Sequence, residues 1–142
     1  AFRLTVMPRR VRLWHIYYVV NCEHTRERKN KFAIMVCKHE KPMRPRTMGF
    51  LINSKIPDWI KSNPDLGPCQ VKIRADEHRG LFHDSYVDCS LILPFDNWKL
   101  DSNRGKVSDQ TIRDMLDVIR KARVIKPIYK KLIEASNTFG RE

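Results

Sequence analysis

The stretch WHIYYVVNCEHTRERKNKFAIMVC, residues 14–37, sets two apolar segments on either side of a charged one. Trp14–Asn21 is aromatic and β-branched, and Phe32–Cys37 is apolar throughout, which is the composition of strands on a pleated, buried surface. Cys22–Lys31 between them is polar and basic, so it reads as a loop or hairpin connection. Further along, Lys38–Met48 carries Pro42 and Pro45 and reads as a second basic loop. Phe50–Asn53 is a short strand, and Ile56–Ser62 is a helical turn led by Pro57. Ser62–Pro68 (SNPDLGP) is dense in turn residues. Gln70–Ile73 alternates as a strand does, Ala75–Gly80 turns, and Leu81–Leu93 supplies one or two further strands.

The period then changes. Ser108 is placed to cap a helix, with Asp109 in its first turn and Arg120, Lys121 and Arg123 toward its end, all complementing the helix dipole. Ile112, Met115, Leu116 and Ile119 follow the i, i+3, i+4, i+7 spacing of one apolar face. Pro127 fits the first turn of a second helix, in which Ile128, Leu132 and Ile133 are expected to share a face. Short strands followed by helices predict an α+β fold, a compact antiparallel sheet or barrel with C-terminal helices packed against it. The expected organisation is one domain over 1–142. It comprises a basic N-terminal segment 1–13, a β-region 14–93 with basic loops 22–31 and 38–48, and helices within 108–136.

Composition narrows the function. Of 142 residues 42% are hydrophobic, enough for a core, and no apolar run approaches the roughly 20 residues that span a bilayer. No secretory signal is evident, and Cys22, Cys37, Cys69 and Cys89 are widely spaced, so the chain reads as cytoplasmic with reduced thiols. The net charge is +12, and residues 1–50 hold twelve Lys and Arg against Glu23, Glu27 and Glu40, so +9 lies there. Such a field attracts phosphates and steers nucleic acid, and an acidic protein would feel it equally.

Candidate chemistry gathers in two places. One is the loop with His24, Arg26, Arg28, Lys29 and Lys31; the other is His83-Asp84-Ser85 at the head of an expected strand. Histidine titrates near neutrality and can act as acid or base, and a cation can stabilise a charged phosphorane. Neighbours on a strand face opposite ways, so His83 and Asp84 need not cooperate, and ordinary polar loop residues are the plainer explanation. Cys22-x-His24 and Cys37-x-His39 repeat a C-x-H pair that could supply four zinc ligands if the pairs met; buried free thiols at strand ends are the commoner case. Trp14, Tyr17 and Tyr18 lie close to basic residues and would serve either as core or as a stacking surface. No P-loop, GxGxxG, GxSxG or HExxH occurs, which leaves nucleotide hydrolysis, Rossmann and zincin chemistry without support.

In this order the segments resemble the PemK/MazF family of toxin endoribonucleases. The similarity lies in Trp14–Asn21, the polar loop, Lys29–Cys37 (KNKFAIMVC), Phe50–Lys55 (FLINSK), His83–Ser90 (HDSYVDCS), and Gly105-Lys106-Val107-Ser108 before a helix. It runs over about residues 14–135. The resemblance implies a small SH3-like antiparallel β-barrel with C-terminal helices, usually a homodimer. It implies an endoribonuclease that cleaves single-stranded RNA without a metal or other cofactor, leaving a 2′,3′-cyclic phosphate, and an acidic antitoxin that covers its groove. Matched residue by residue, the family's loop histidine falls near His24 and its arginine at Lys31, with Phe32 in place of the following proline. Its threonine falls at Asn53, with Ser54 beside it. Its strand aspartate falls at Asp84, with Phe82 where the family carries a further arginine. The implied roles are proton transfer by His24 or His83 and phosphorane stabilisation by Lys31 with Arg28. Asn53, Ser54 and Asp84 would position the RNA. Arg26, Lys29, Arg44 and Arg46 would complete the RNA-gripping surface. The alternative is a catalytically inactive module on the same fold, binding nucleic acid or an acidic protein.

Overall fold

The computed structural model describes residues 10–39 and 44–140. Residues 1–9 of the basic N-terminal segment and 40–43 of the second basic loop therefore lie outside it. Seven strands and three helices follow in the order β1 (His15–Val19), β2 (Lys31–Lys38), β3 (Arg46–Asn53), α1 (Asp58–Lys61), β4 (Gln70–Ile73), β5 (Ser85–Asp88), β6 (Leu93–Asp96), β7 (Leu100–Lys106), α2 (Asp109–Lys121) and α3 (Pro127–Gly140). All strand pairings are antiparallel. The hydrogen-bonded order is β4-β5-β3-β2-β1-β7, with β6 added to the first half of β3. The expected α+β architecture with C-terminal helices is present, but the sheet is open rather than a closed barrel.

Period-two alternation divides the apolar residues between two faces. Ile16, Ile34, Phe50, Ile52, Val71, Ile73 and Val87 pack with Ile112, Met115, Leu116 and Ile119 of α2 and Ile133 of α3. The in-between residues Tyr17, Val19, Ala33 and Met35 form a smaller core with Cys22, Phe95 and Leu100. Trp14 closes the corner. Its φ of 64° is unusual for an aromatic residue, and its backbone is bonded on both sides. Its N–H donates to the Met35 carbonyl (2.6 Å) and its carbonyl accepts from Val107 N–H (2.9 Å). Those bonds and a fully buried ring hold a conformation that costs on the order of 1–3 kcal/mol.

The helices fall where the sequence reading expects them, with α1 confined to Asp58–Lys61 and α3 running past residue 136 to Gly140. Ser108 caps α2, its Oγ accepting from Thr111 N–H at 3.2 Å. In α3 Ile133 is fully buried, but Ile128 is 58% exposed and does not join the apolar face expected of it. Two strands, β6 and β7, lie partly or wholly beyond residue 93, where the sequence reading ended the β-region. No helix of the described residues is long and apolar enough to cross a membrane.

Candidate nucleic-acid interface

The end of the sheet where β2 begins and β3 ends brings Lys31, Asn53 and His83 to one region. Phe32 pairs with Ile52, so one step further Lys31 stands opposite Asn53. The Lys31 ammonium donates to Asn53 Oδ1 at 2.6 Å. Lys31 is half-buried. Burial holds its ammonium below the usual lysine range, and the charge of Lys29 lowers it further. The positions matched above to the family's arginine and threonine are thus hydrogen-bonded neighbours.

Beside them is a cleft of about 180 Å³ lined by residues including Lys31, Phe32, Ser54, Leu81, His83 and Ser85. That is below the roughly 300–1,000 Å³ of sites that enclose a whole small ligand, and it suits one unit of a longer chain. His83 is exposed at its mouth. Its Nδ1 donates to the Asp84 carbonyl at 3.0 Å, a bond that requires the Nδ1–H form. In the neutral imidazole the lone pair is then on Nε2, available as an acceptor of protons.

The other expected catalytic residues are placed elsewhere. Asp84 turns toward β4, where Oδ1 accepts from Ala75 N–H (2.8 Å) and Oδ2 lies 3.7 Å from Lys72 Nζ. It does not line the cleft. His24 donates to the Pro94 carbonyl through Nε2 (2.6 Å) and meets the Phe95 ring edge-on at 5.0 Å. His24 is thus held against Phe95, a residue of the smaller core. Four candidates therefore separate into three environments.

The basic loop between β1 and β2 is laced by hydrogen bonds of its own. Cys22 N–H donates to Lys29 O, Thr25 Oγ1 to Cys22 O, Lys29 N–H to Thr25 Oγ1, and Asn21 N–H to Asn30 Oδ1. Asn21 and Arg28 take φ near +50°, the left-handed conformation of tight turns. Arg26, Arg28 and Lys29 are exposed in the loop that leads into Lys31. Arg44 and Arg46 are instead paired through Nε with Asp96 Oδ1, at 3.0 and 3.1 Å. The C-x-H repeat is not drawn together: among the described residues no three His, Cys, Asp or Glu side chains form a metal-sized group. Cys22 and Cys37 are buried, and burial pushes the Cys22 thiol up.

Two residues of this region escaped the sequence reading as contributors. Phe82, noted only as a departure from a motif, is 85% exposed on the cleft. Arg104 of β7 lies 5.2 Å from the Tyr18 ring centre and 5.8 Å from that of Phe32. Neither has a local pattern; the cross-strand, tilted contact of the Tyr18 and Phe32 rings (5.2 Å) brings the second arrangement together.

No family model matches the chain, and no curated protein matches it in sequence. Among solved structures it is similar to an endoribonuclease in complex with its cognate antitoxin from a mycobacterial species, with a TM-score of 0.58 and 12% identity. The match covers 82% of this chain and 98% of that one. At that identity the likeness is one of fold, and the sheet with its C-terminal helices is the fold of that toxin endoribonuclease.

Proposed function

We propose that the chain is a toxin-type endoribonuclease that cuts single-stranded RNA laid across the sheet end between Lys31 and His83, without a metal. The observation that carries the reading is the Lys31–Asn53 bond on this fold, beside a cleft that His83 also lines. His83 Nε2 takes the proton of a ribose 2′-hydroxyl, and the 2′-oxygen attacks the adjacent phosphorus. The Lys31 ammonium stabilises the added negative charge of the phosphorane as a point charge. As the P–O5′ bond breaks, Lys31 gives a proton to the departing oxygen, a transfer eased by the burial that weakens its hold on that proton. The products are a 2′,3′-cyclic phosphate and a 5′-hydroxyl. Asn53 orients the ammonium, and Arg26, Arg28 and Lys29 hold the strand through its phosphates.

The same basic surface suits an acidic segment of an antitoxin, by analogy with the complexed neighbour. A second reading, a binding module without catalysis, is favoured by one observation: Asp84 and His24 are both engaged away from the cleft. Incubation of the protein with long single-stranded RNA in EDTA decides between them. Fragments ending in cyclic phosphate that vanish in Lys31→Met and His83→Ala support the enzyme. Intact RNA that is retarded in a gel, less so as salt rises, supports the module.

A further inference from the structure

Phe82 is a large apolar side chain left in water while its neighbour Leu81 is 7% exposed. Leu81 anchors this loop in the main core, so Phe82 is held out rather than free to collapse. The loop is also pressed against β7. A Cβ on Gly80 would sit 2.5 Å from Arg104 Cβ and 2.6 Å from its carbonyl oxygen, so only glycine permits this approach. Arg104 is fixed from its other side by the Tyr18 and Phe32 rings, and its Nε donates to Ser102 Oγ at 2.9 Å. Phe82, Phe32 and the exposed Ser54 thus line one small cleft, and the Arg104 guanidinium lies 5.8 Å from the ring centre of Phe32 in its wall.

We propose that this cleft is a base-stacking subsite for one nucleotide of a single strand, with Phe82 as the platform and Arg104 as the clamp on the neighbouring phosphate. An aromatic face accepts any base, while a charge beside it takes the backbone, which is the chemistry of single-strand recognition. The inference rests on the RNA reading above and adds to it the place where a base is held. It also gives position 82 a role different from that of the arginine it replaces in the resemblance.

The test is fluorescence anisotropy of a labelled single-stranded RNA whose 2′-hydroxyls are all methylated, so that no nucleophile is present and binding is read without cleavage. Phe82→Ala is expected to weaken binding by about 10-fold or more, with the salt dependence unchanged. Phe82→Trp is expected to retain affinity. Arg104→Gln is expected to weaken binding and reduce the salt slope by about one. Trp59→Ala, which removes a 66% exposed aromatic elsewhere, is expected to have no effect. Circular dichroism of each variant checks the fold, which the exposed Phe82 does not support.

Equal affinity of Phe82→Ala and the native chain overturns the subsite, as does native protein that binds no strand. A free 5′-mononucleotide that competes as strongly as the oligonucleotide overturns its assignment to a strand. Phe82-dependent binding with unmodified RNA left intact upholds the subsite and removes the enzyme reading. Unmodified RNA cut by Phe82→Ala at the native rate and positions, with native affinity, does the reverse.

Discussion

Lys31 and Asn53 face each other across β2 and β3, joined from Nζ to Oδ1 at 2.6 Å. The bond aims an ammonium whose charge is partly stripped of water, and that is the chemical core of the proposed cleavage. Lys31→Met is expected to slow RNA cleavage by about 10²–10³-fold, the loss typical of removing one group that stabilises developing charge. Asn53→Thr keeps an oxygen that can accept from the ammonium and is expected to retain most activity, whereas Asn53→Ala is not. Single-turnover cleavage of a short single-stranded RNA checks all three.

Removal of the same charge has a predictable effect on stability. Burial lowers the Lys31 pKa from 10.5, so between the folded value and 10.5 the unfolded chain binds more protons than the folded one. Stability therefore rises with pH through that window, and at neutral pH the protonated lysine is a burden on the fold. Lys31→Met is expected to leave the Tm unchanged or raised at pH 7 and to flatten its rise on the alkaline side. A fall in Tm at pH 7 would count against this account of the half-buried ammonium.

His24 and His83 separate by what their ring nitrogens touch. His24 bonds the Pro94 carbonyl and packs on Phe95, so His24→Ala is expected to cost about 1–3 kcal/mol of stability while cleavage by the folded protein persists. His83 is exposed and bonds only local groups, so His83→Ala is expected to change stability by less than about 0.5 kcal/mol and to abolish cleavage. Urea denaturation paired with the cleavage assay reads both halves. Cleavage that follows His24 instead of His83 reverses the assignment.

What the residues revealed in order, and what they hid, has a physical basis. Strand β4 occurs as Gln70–Ile73, the residues read as alternating, because Val71 and Ile73 are buried while Lys72 is exposed. The Ser108 cap was legible because capping is local. Strand β7 (LDSNRGK) was missed because only Leu100 is buried; it is held at the sheet edge by pairing with β1, which no local pattern records. The first half of β3 was hidden behind Pro42 and Pro45, and β6 claims it through pairs such as Thr47 with Phe95. In the site, matching positions to a family singled out Lys31 and Asn53 separately, and their cross-strand bond comes from the β2–β3 register. The dispersal of His24 and Asp84 depends on tertiary partners, Pro94 and Ala75, that lie 70 and nine residues away.

His15 provides a pH-dependent probe of the sheet. It is 9% exposed in β1 with Nδ1 3.2 Å from Asn103 Oδ1. Burial lowers its pKa from 6.5; the Asn103 bond opposes this, while Arg12 and Lys106 add to it. The folded state thus resists protonation, and from about pH 6.5 down toward the lowered value the unfolded chain takes up the proton first. Stability is expected to fall as pH drops through that window. His15→Gln, which carries no titrating group, is expected to remove part of the slope in melting temperature against pH between about 7 and 5.

Asp96 links the two arginines that sequence alone assigned to RNA. Its carboxylate, 8% exposed, takes Arg44 at 3.0 Å and Arg46 at 3.1 Å, with Lys99 at 4.0 Å. Arg46 is the less exposed of the two, 28% against 59%, so it carries more of the structural role and Arg44 more of the surface field. Asp96→Asn removes one negative charge and weakens the hold on both guanidinium groups. Stability is expected to fall by about 1–3 kcal/mol, because a mostly buried carboxylate loses charge-assisted bonds. Attraction for single-stranded nucleic acid at low salt is expected to rise, because net charge increases and Arg44 becomes free to reach phosphates. Denaturation and low-salt anisotropy on the same variant read the two effects, which run in opposite directions. Affinity that falls together with stability would instead mean that Asp96 organises the RNA-facing surface itself.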